Sequence, residues 1–137
     1  MAQRGLSSFG ITMSPQSDFP VVFEHLKNIL KSLESKLTLT ADTSNVYSLD
    51  GPYSEKWKRQ LFFGSVQIKM NYVFFYLMPV YMFPDLMKDI SPELKKRMQG
   101  KSCFNFKKVE PALFEELAGL TGKGMERFHT SKENGEM

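Results

Sequence analysis

The chain has 137 residues, and its 18 basic and 15 acidic side chains give a formal net charge of +3. This length suits one domain, and the hydrophobic fraction of 42% excludes an intrinsically disordered class. The charge balance is far from that of a nucleic-acid polycation, so no specific nucleic-acid partner is predicted. A single cysteine cannot form an intramolecular disulfide and no segment resembles a signal peptide, which together predict a cytoplasmic location.

The first predicted element is an amphipathic helix over residues 19–36. Residues 1–17 are rich in glycine, proline and small hydroxylic side chains, which predicts a flexible N-terminal segment. Asp18-Phe19-Pro20 is a helix-start signal, and apolar residues then recur at spacings of three and four. The apolar stripe consists of Val22, Leu26, Ile29, Leu30, Leu33 and Leu37.

Four β-type segments follow in the middle of the chain. Residues 38–41 and 45–49 form the first pair, and Asp50-Gly51-Pro52 predicts a turn after them. Residues 60–68 and 72–78 form a central hairpin through a turn at Met70-Asn71, with Gly64-Ser65 as a bulge.

The second strand of this hairpin is apolar on both faces, which predicts a position inside the sheet. Alternation places Tyr72, Phe74 and Tyr76 on one of its faces. The apolar stretch 72–83 that contains the strand is too short and too interrupted by proline to cross a bilayer, so we expect a soluble protein with no membrane contact.

Short helices and one more strand are predicted after Pro79, which ends the hairpin. Pro84 can begin a helix over residues 85–90, and Ser91-Pro92-Glu93 caps another that ends at Gly100. Residues 102–107 alternate apolar and polar side chains, which predicts a short edge strand.

The last predicted element is a helix that starts at Glu110-Pro111. Its apolar residues Leu113, Phe114, Leu117 and Leu120 form one stripe, and the glycines at 119, 122 and 124 predict a break or two helices. The predicted fold is therefore α+β, with a central, mostly antiparallel sheet flanked by the N-terminal helix, the short helices and the C-terminal helix. One domain spans residues 18–130, and residues 131–137 form a polar tail.

The sequence contains no recognisable catalytic or cofactor motif. Gly100-Lys101-Ser102 copies the end of a phosphate-binding loop, but Lys95 stands where that loop needs its first glycine. The two histidines and the cysteine show none of the local spacings of a metal site, so no metal is predicted. Cys103 can be read as a buried structural cysteine or, if a cation lowers its pKa, as a nucleophile.

A binding site is predicted where aromatic residues and lysines converge in the sequence. Its candidate residues are Tyr72, Tyr76, Tyr81, Lys101, Cys103 and Lys107. Their composition suits a small anionic or aromatic ligand, held in a groove between the tyrosine face of the hairpin and the Lys101–Lys108 segment. An alternative interpretation is a homodimer that pairs through the edge strand 103–107.

The chain resembles the YdhG-like family of small bacterial domains of unknown function over about residues 18–130. The resemblance lies in the segments 22–27, 72–81 and 91–106 and in the leucines of the last helix. It implies a compact α+β domain with no established enzymatic activity. Some relatives are described as frataxin-like iron chaperones, but that activity needs an acidic surface, whereas helix 19–36 is mixed in charge. Iron binding is therefore the weaker alternative to non-catalytic ligand binding.

Overall fold

The computed structural model describes residues 15–133 as four α-helices and six β-strands. Two 3-10 turns lie at Glu34–Lys36 and Pro84–Met87. In chain order the elements are α1 (Pro15–Lys31), β1 (Thr38–Asp42), β2 (Val46–Ser54), β3 (Arg59–Ile68), β4 (Val73–Leu77), α2 (Met78–Met82), α3 (Pro92–Lys95), β5 (Met98–Gln99), β6 (Cys103–Phe106) and α4 (Pro111–Glu133).

All six strands form one antiparallel sheet in the order β1-β2-β3-β4-β6-β5. The predicted central hairpin is confirmed as β3 and β4, which are joined by a turn in which Lys69 N donates to the Tyr72 carbonyl at 2.8 Å. β4 lies between β3 and β6, as its apolar character on both faces predicts. The architecture is the α+β fold expected from the grouping of strands.

Alternation along β4 separates the two faces of the sheet. Val73, Phe75 and Leu77 are fully buried on the face that packs against the helices. Phe74 and Tyr76 are half-buried on the opposite face, where Tyr76 makes edge-to-face contacts with Phe74 and with Phe62 of β3. The aromatic rings on the face that carries the tyrosines therefore pack against one another rather than against the helices.

The core lies between the sheet and the two long helices. α1 contributes Leu26 and Leu30, α4 contributes Leu117 and Phe128, and all four side chains are completely buried. Burial of one such side chain stabilises the fold by about 1.5–3 kcal/mol. Tyr47 of β2 is equally buried, and its hydroxyl donates to Glu34; burial and this carboxylate raise the pKa of Tyr47.

The predicted turn at Asp50-Gly51-Pro52 is wrong, because β2 continues through it to Ser54. Register shifts after Leu49 and after Asp50 accommodate these residues within the ladder with β3. A Cβ at Gly51 would lie 3.0 Å from the ring of Phe128, so the glycine allows α4 to approach the strand.

Gly100 does not end a helix, contrary to the sequence-based prediction. The helix that Ser91 caps stops at Lys95, and β5 precedes the glycine. Gly100 has a φ of +79° and lies in the turn between β5 and β6. The expected left-handed conformation is therefore present, but it belongs to a hairpin turn and not to a helix end.

The predicted position of residues 103–107 at the sheet edge is also wrong. β6 pairs with β4 on one side and with β5 on the other, and Asn105 N donates to the Arg97 carbonyl at 2.7 Å. A second copy could pair with β6 only by displacing β5. The homodimer contact proposed for this strand therefore has no free edge to use.

α4 is one helix of 23 residues, not two, and its glycines do not break it. Gly124 is buried against Pro79 of α2, whereas Gly119 and Gly122 face open space. The buried stripe of α4 offsets the low helix propensity of glycine, which amounts to about 1 kcal/mol at each position.

The outer boundaries of the helices differ from the predicted ones by a few residues. α1 covers Pro15–Lys31, and the predicted last turn is the separate 3-10 turn Glu34–Lys36. α4 extends to Glu133, into the segment expected to be a polar tail. The rest of that tail and of the expected flexible N-terminal segment, residues 134–137 and 1–14, lies outside the described residues.

Candidate ligand-binding site

The site is a cavity of about 600 Å³ at the end of the sheet where the β3–β4 turn, β5 and the end of β6 meet. It lies between Tyr72, which follows the turn, and the residues on either side of the β5–β6 hairpin. Its lining consists of Tyr72, Lys96, Arg97, Met98, Gln99, Asn105, Lys107, Lys108 and Glu110.

Backbone pairing in the β5–β6 hairpin places two amide side chains in this cavity. Asn105 lies opposite Phe74 in the β4–β6 ladder and therefore shares the tyrosine face of the sheet. Its Nδ2 donates to Oε1 of Gln99 at 2.7 Å, which fixes both side chains. Of the lining residues, Met98, Gln99 and Asn105 thus lie on strands, and the others lie in the turns and loops beside these strands.

A salt bridge between Arg97 and Glu110 lies in the cavity lining. Arg97 Nε donates to Glu110 Oε2 at 2.8 Å, and Nη2 donates to Oε1 at 2.7 Å. The hydrogen bond from Arg97 lowers the pKa of the Glu110 carboxyl, and the nearby charges of Arg97 and Lys108 lower it further against the opposing effect of burial. Glu110 is therefore ionised at neutral pH and has little capacity to act as a general base.

Basic side chains outnumber acidic ones in the cavity. Lys96, Lys107 and Lys108 join Arg97, and Glu110 is the one carboxylate of the lining. Among residues 15–133, none of the three lysines forms a salt bridge. Since Glu110 already neutralises Arg97, the three lysines leave the cavity with a positive potential that attracts anions.

The cavity contains two of the six site residues predicted from the sequence. Tyr72 and Lys107 both line it. Tyr76 and Cys103 are partners in the β4–β6 ladder, further along the same face. The predicted tyrosine face and the basic segment therefore meet, but only near Tyr72.

The other two predicted residues lie away from the cavity. Lys101 is in the β5–β6 turn, at the end of β6 opposite to Lys107. Tyr81 lies on α2 and is 52% exposed. Because β6 runs the length of β4, residues only six apart in sequence, such as Lys101 and Lys107, are separated by the whole strand.

Cys103 has the properties of a structural cysteine. Its thiol is free and half-buried, and burial raises its pKa, so the thiol is protonated at neutral pH. Within the described range 15–133, no three His, Cys, Asp or Glu side chains are grouped so that they could hold a metal ion.

Sequence reasoning missed most of the cavity lining. It placed Lys108 only at the end of the Lys101–Lys108 segment, and it did not name Arg97, Gln99, Asn105 or Glu110 as site residues. A usable signal was the two-residue spacing of Arg97 and Gln99 and of Asn105 and Lys107. In paired strands this spacing places the four polar side chains on one face of the sheet.

No protein-family model, curated protein or solved structure matches the chain significantly. The resemblance to the YdhG-like family therefore stays a prediction. Of the described helices, none has the length and apolar character required to span a membrane.

Proposed function

We propose that the protein is a non-catalytic, cytoplasmic binding domain that takes a small anion in the cavity beside Tyr72. The observation that carries this proposal is the excess of basic groups in a concave site whose carboxylate, Glu110, is already paired. An anion that enters the cavity meets three lysines that form no salt bridge with the described part of the chain. Such focusing of like charges raises the local concentration of an oppositely charged ligand.

The shape and the apolar part of the lining favour a small organic anion. A volume of about 600 Å³ lies within the usual range of small-molecule sites, which is about 300–1,000 Å³. Tyr72 and Met98 contribute apolar surface beside the charged groups. A ligand with a flat or aromatic body and a negative group would use both parts of the lining.

The proposal is tested by thermal unfolding in the presence of inorganic phosphate or benzoate, at low and constant ionic strength. We expect both anions to raise the Tm of the wild-type protein, because a ligand that binds only the folded state stabilises it. Lys107→Ala should reduce the shift for both anions, and Tyr72→Ala should reduce it mainly for benzoate.

Lys31→Ala is the matched control, because it removes one positive charge from α1 at a position outside the cavity lining. Its ligand-induced shift should equal that of the wild type. The proposal is wrong if Lys107→Ala and Lys31→Ala respond alike, or if the wild-type Tm changes no more with either anion than with the same ionic strength of sodium chloride.

A further inference from the structure

We infer that the ligand of the cavity carries a carboxylate or phosphate group, and that the outer edge of the Arg97 guanidinium binds two of its oxygens. This inference rests on the proposed function and makes it more specific. It assigns Glu110 as a positioning residue, which holds the guanidinium plane without contacting the ligand. The property that both ligand groups share is a pair of oxygens spaced to match two parallel N–H donors.

The pairing with Glu110 determines which donors of Arg97 remain. The carboxylate occupies Nε and one side of Nη2, which is one edge of the planar guanidinium. The adjacent edge, formed by Nη1 and the other side of Nη2, retains its N–H groups. No acceptor among residues 15–133 receives a hydrogen bond from Nη1.

Arg97 is accessible in the cavity. The residue lines the cavity, and its side chain is 36% exposed, whereas that of Glu110 is 17% exposed. Glu110, the more buried partner, thus orients the more exposed guanidinium of Arg97. A guanidinium fixed in this way loses less conformational freedom on binding than a lysine ammonium does.

The surrounding charges allow a second anion next to Glu110. A lone Arg–Glu pair is neutral and would offer little attraction, but Lys96, Lys107 and Lys108 line the same cavity. In this arrangement the lysines supply attraction for any anion, and Arg97 supplies geometric selection among anions. The expected signature is therefore selectivity for oxoanions over halide ions of the same charge.

The test is calorimetric titration of the wild type and of Arg97→Lys with inorganic phosphate, benzoate and bromide. The substitution keeps the positive charge and removes the planar fork, which is the pair of parallel N–H donors on the outer edge of the guanidinium. Binding of phosphate and benzoate should therefore weaken about tenfold or more, while binding of bromide is unchanged. The phosphate and benzoate arms identify which of the two groups the site prefers. Circular dichroism confirms that the variant is folded.

Glu110→Gln is the second variant, because Arg97→Lys also weakens the salt bridge and could unfold the chain. It keeps Arg97 and increases the positive charge, so a site that depends on charge alone would bind every anion more tightly. We expect the ratio of benzoate to bromide affinity to fall instead, since the fork is no longer held.

The outcomes separate the two proposals. Suppose that Arg97→Lys and Glu110→Gln both keep the wild-type ratio of oxoanion to bromide affinity, while Lys107→Ala weakens binding of all three anions. The inference that Arg97 selects oxoanions is then wrong, and the proposal of an anion site in the cavity is supported. If the wild type binds none of the three anions, both proposals are wrong.

Discussion

At the scale of single residues, the glycines of α4 show how position decides the role of one side chain. A Cβ on Gly124 would lie 2.9 Å from Cβ of Pro79, which is closer than such atoms pack, and 3.1 Å from its Cγ, which is a tight contact. A Cβ on Gly119 would meet nothing within 4 Å. The first glycine therefore permits contact between α4 and α2, and the second only lowers helix propensity.

Gly124→Ala should lower the free energy of unfolding by about 1–2 kcal/mol, because α4 or α2 must shift to accommodate the added methyl group. Gly119→Ala is the control in the same helix and should raise it by about 0.5–1 kcal/mol, since it adds helix propensity without a clash. Urea denaturation of both variants measures the difference. Equal effects would show that the contact with Pro79 does not constrain the helix.

At the scale of elements, one carboxylate connects α3 to α4. Glu116 accepts hydrogen bonds from the backbone N and from Oγ of Ser91, both at 2.6 Å. Ser91 Oγ in turn accepts from Leu94 N at 3.1 Å and caps α3. A helix of four residues has little stability of its own, so this contact holds it in place ahead of β5.

Glu116→Ala should lower the free energy of unfolding by about 2 kcal/mol, because it removes two hydrogen bonds to a charged acceptor and leaves the half-buried Ser91 without them. Glu115→Ala removes a neighbouring exposed carboxylate and should change stability by less than about 0.5 kcal/mol. Urea denaturation is again the measurement. A cost for Glu115→Ala as large as that for Glu116→Ala would contradict the proposed role of the contact.

At the scale of the whole molecule, the strand order places β4 in the interior of the sheet and β1 at its edge. This strand is paired on both sides, and its core-facing side chains are fully buried. β1 lies at one edge, is paired only with β2, and has four exposed residues of five. Local opening is easiest where few apolar contacts and only one neighbouring strand hold the backbone.

Native-state hydrogen exchange should therefore differ across the sheet. We expect hydrogen-bonded amides of β4 to exchange at least about 100-fold more slowly than those of β1, since β4 opens only with the core. Peptide-resolved mass spectrometry measures both strands in one sample. Equal protection of the two strands would mean that the sheet opens only as one cooperative unit.

Much of the fold followed from local patterns. The period-two spacing of Val66 and Ile68 in β3 predicts that both side chains face the core, and both pack there. Two other patterns were misread, because Asp50-Gly51-Pro52 and the glycines of α4 are turn and break signals only when packing does not oppose them. In each case a long-range contact decided the conformation: Phe128 against Gly51 and Pro79 against Gly124.

By itself, the sequence determined the order of the longer elements and which side chains share a face of β4, because the periods of helix and strand are properties of the chain. Only the tertiary structure decided which basic residues share a cavity. Arg97 and Glu110 are thirteen positions apart and belong to no common pattern, yet the β5–β6 hairpin brings their side chains within 2.7 Å. A site assembled from a turn, a hairpin and the end of a strand depends on how those elements pack, and no local periodicity records that arrangement.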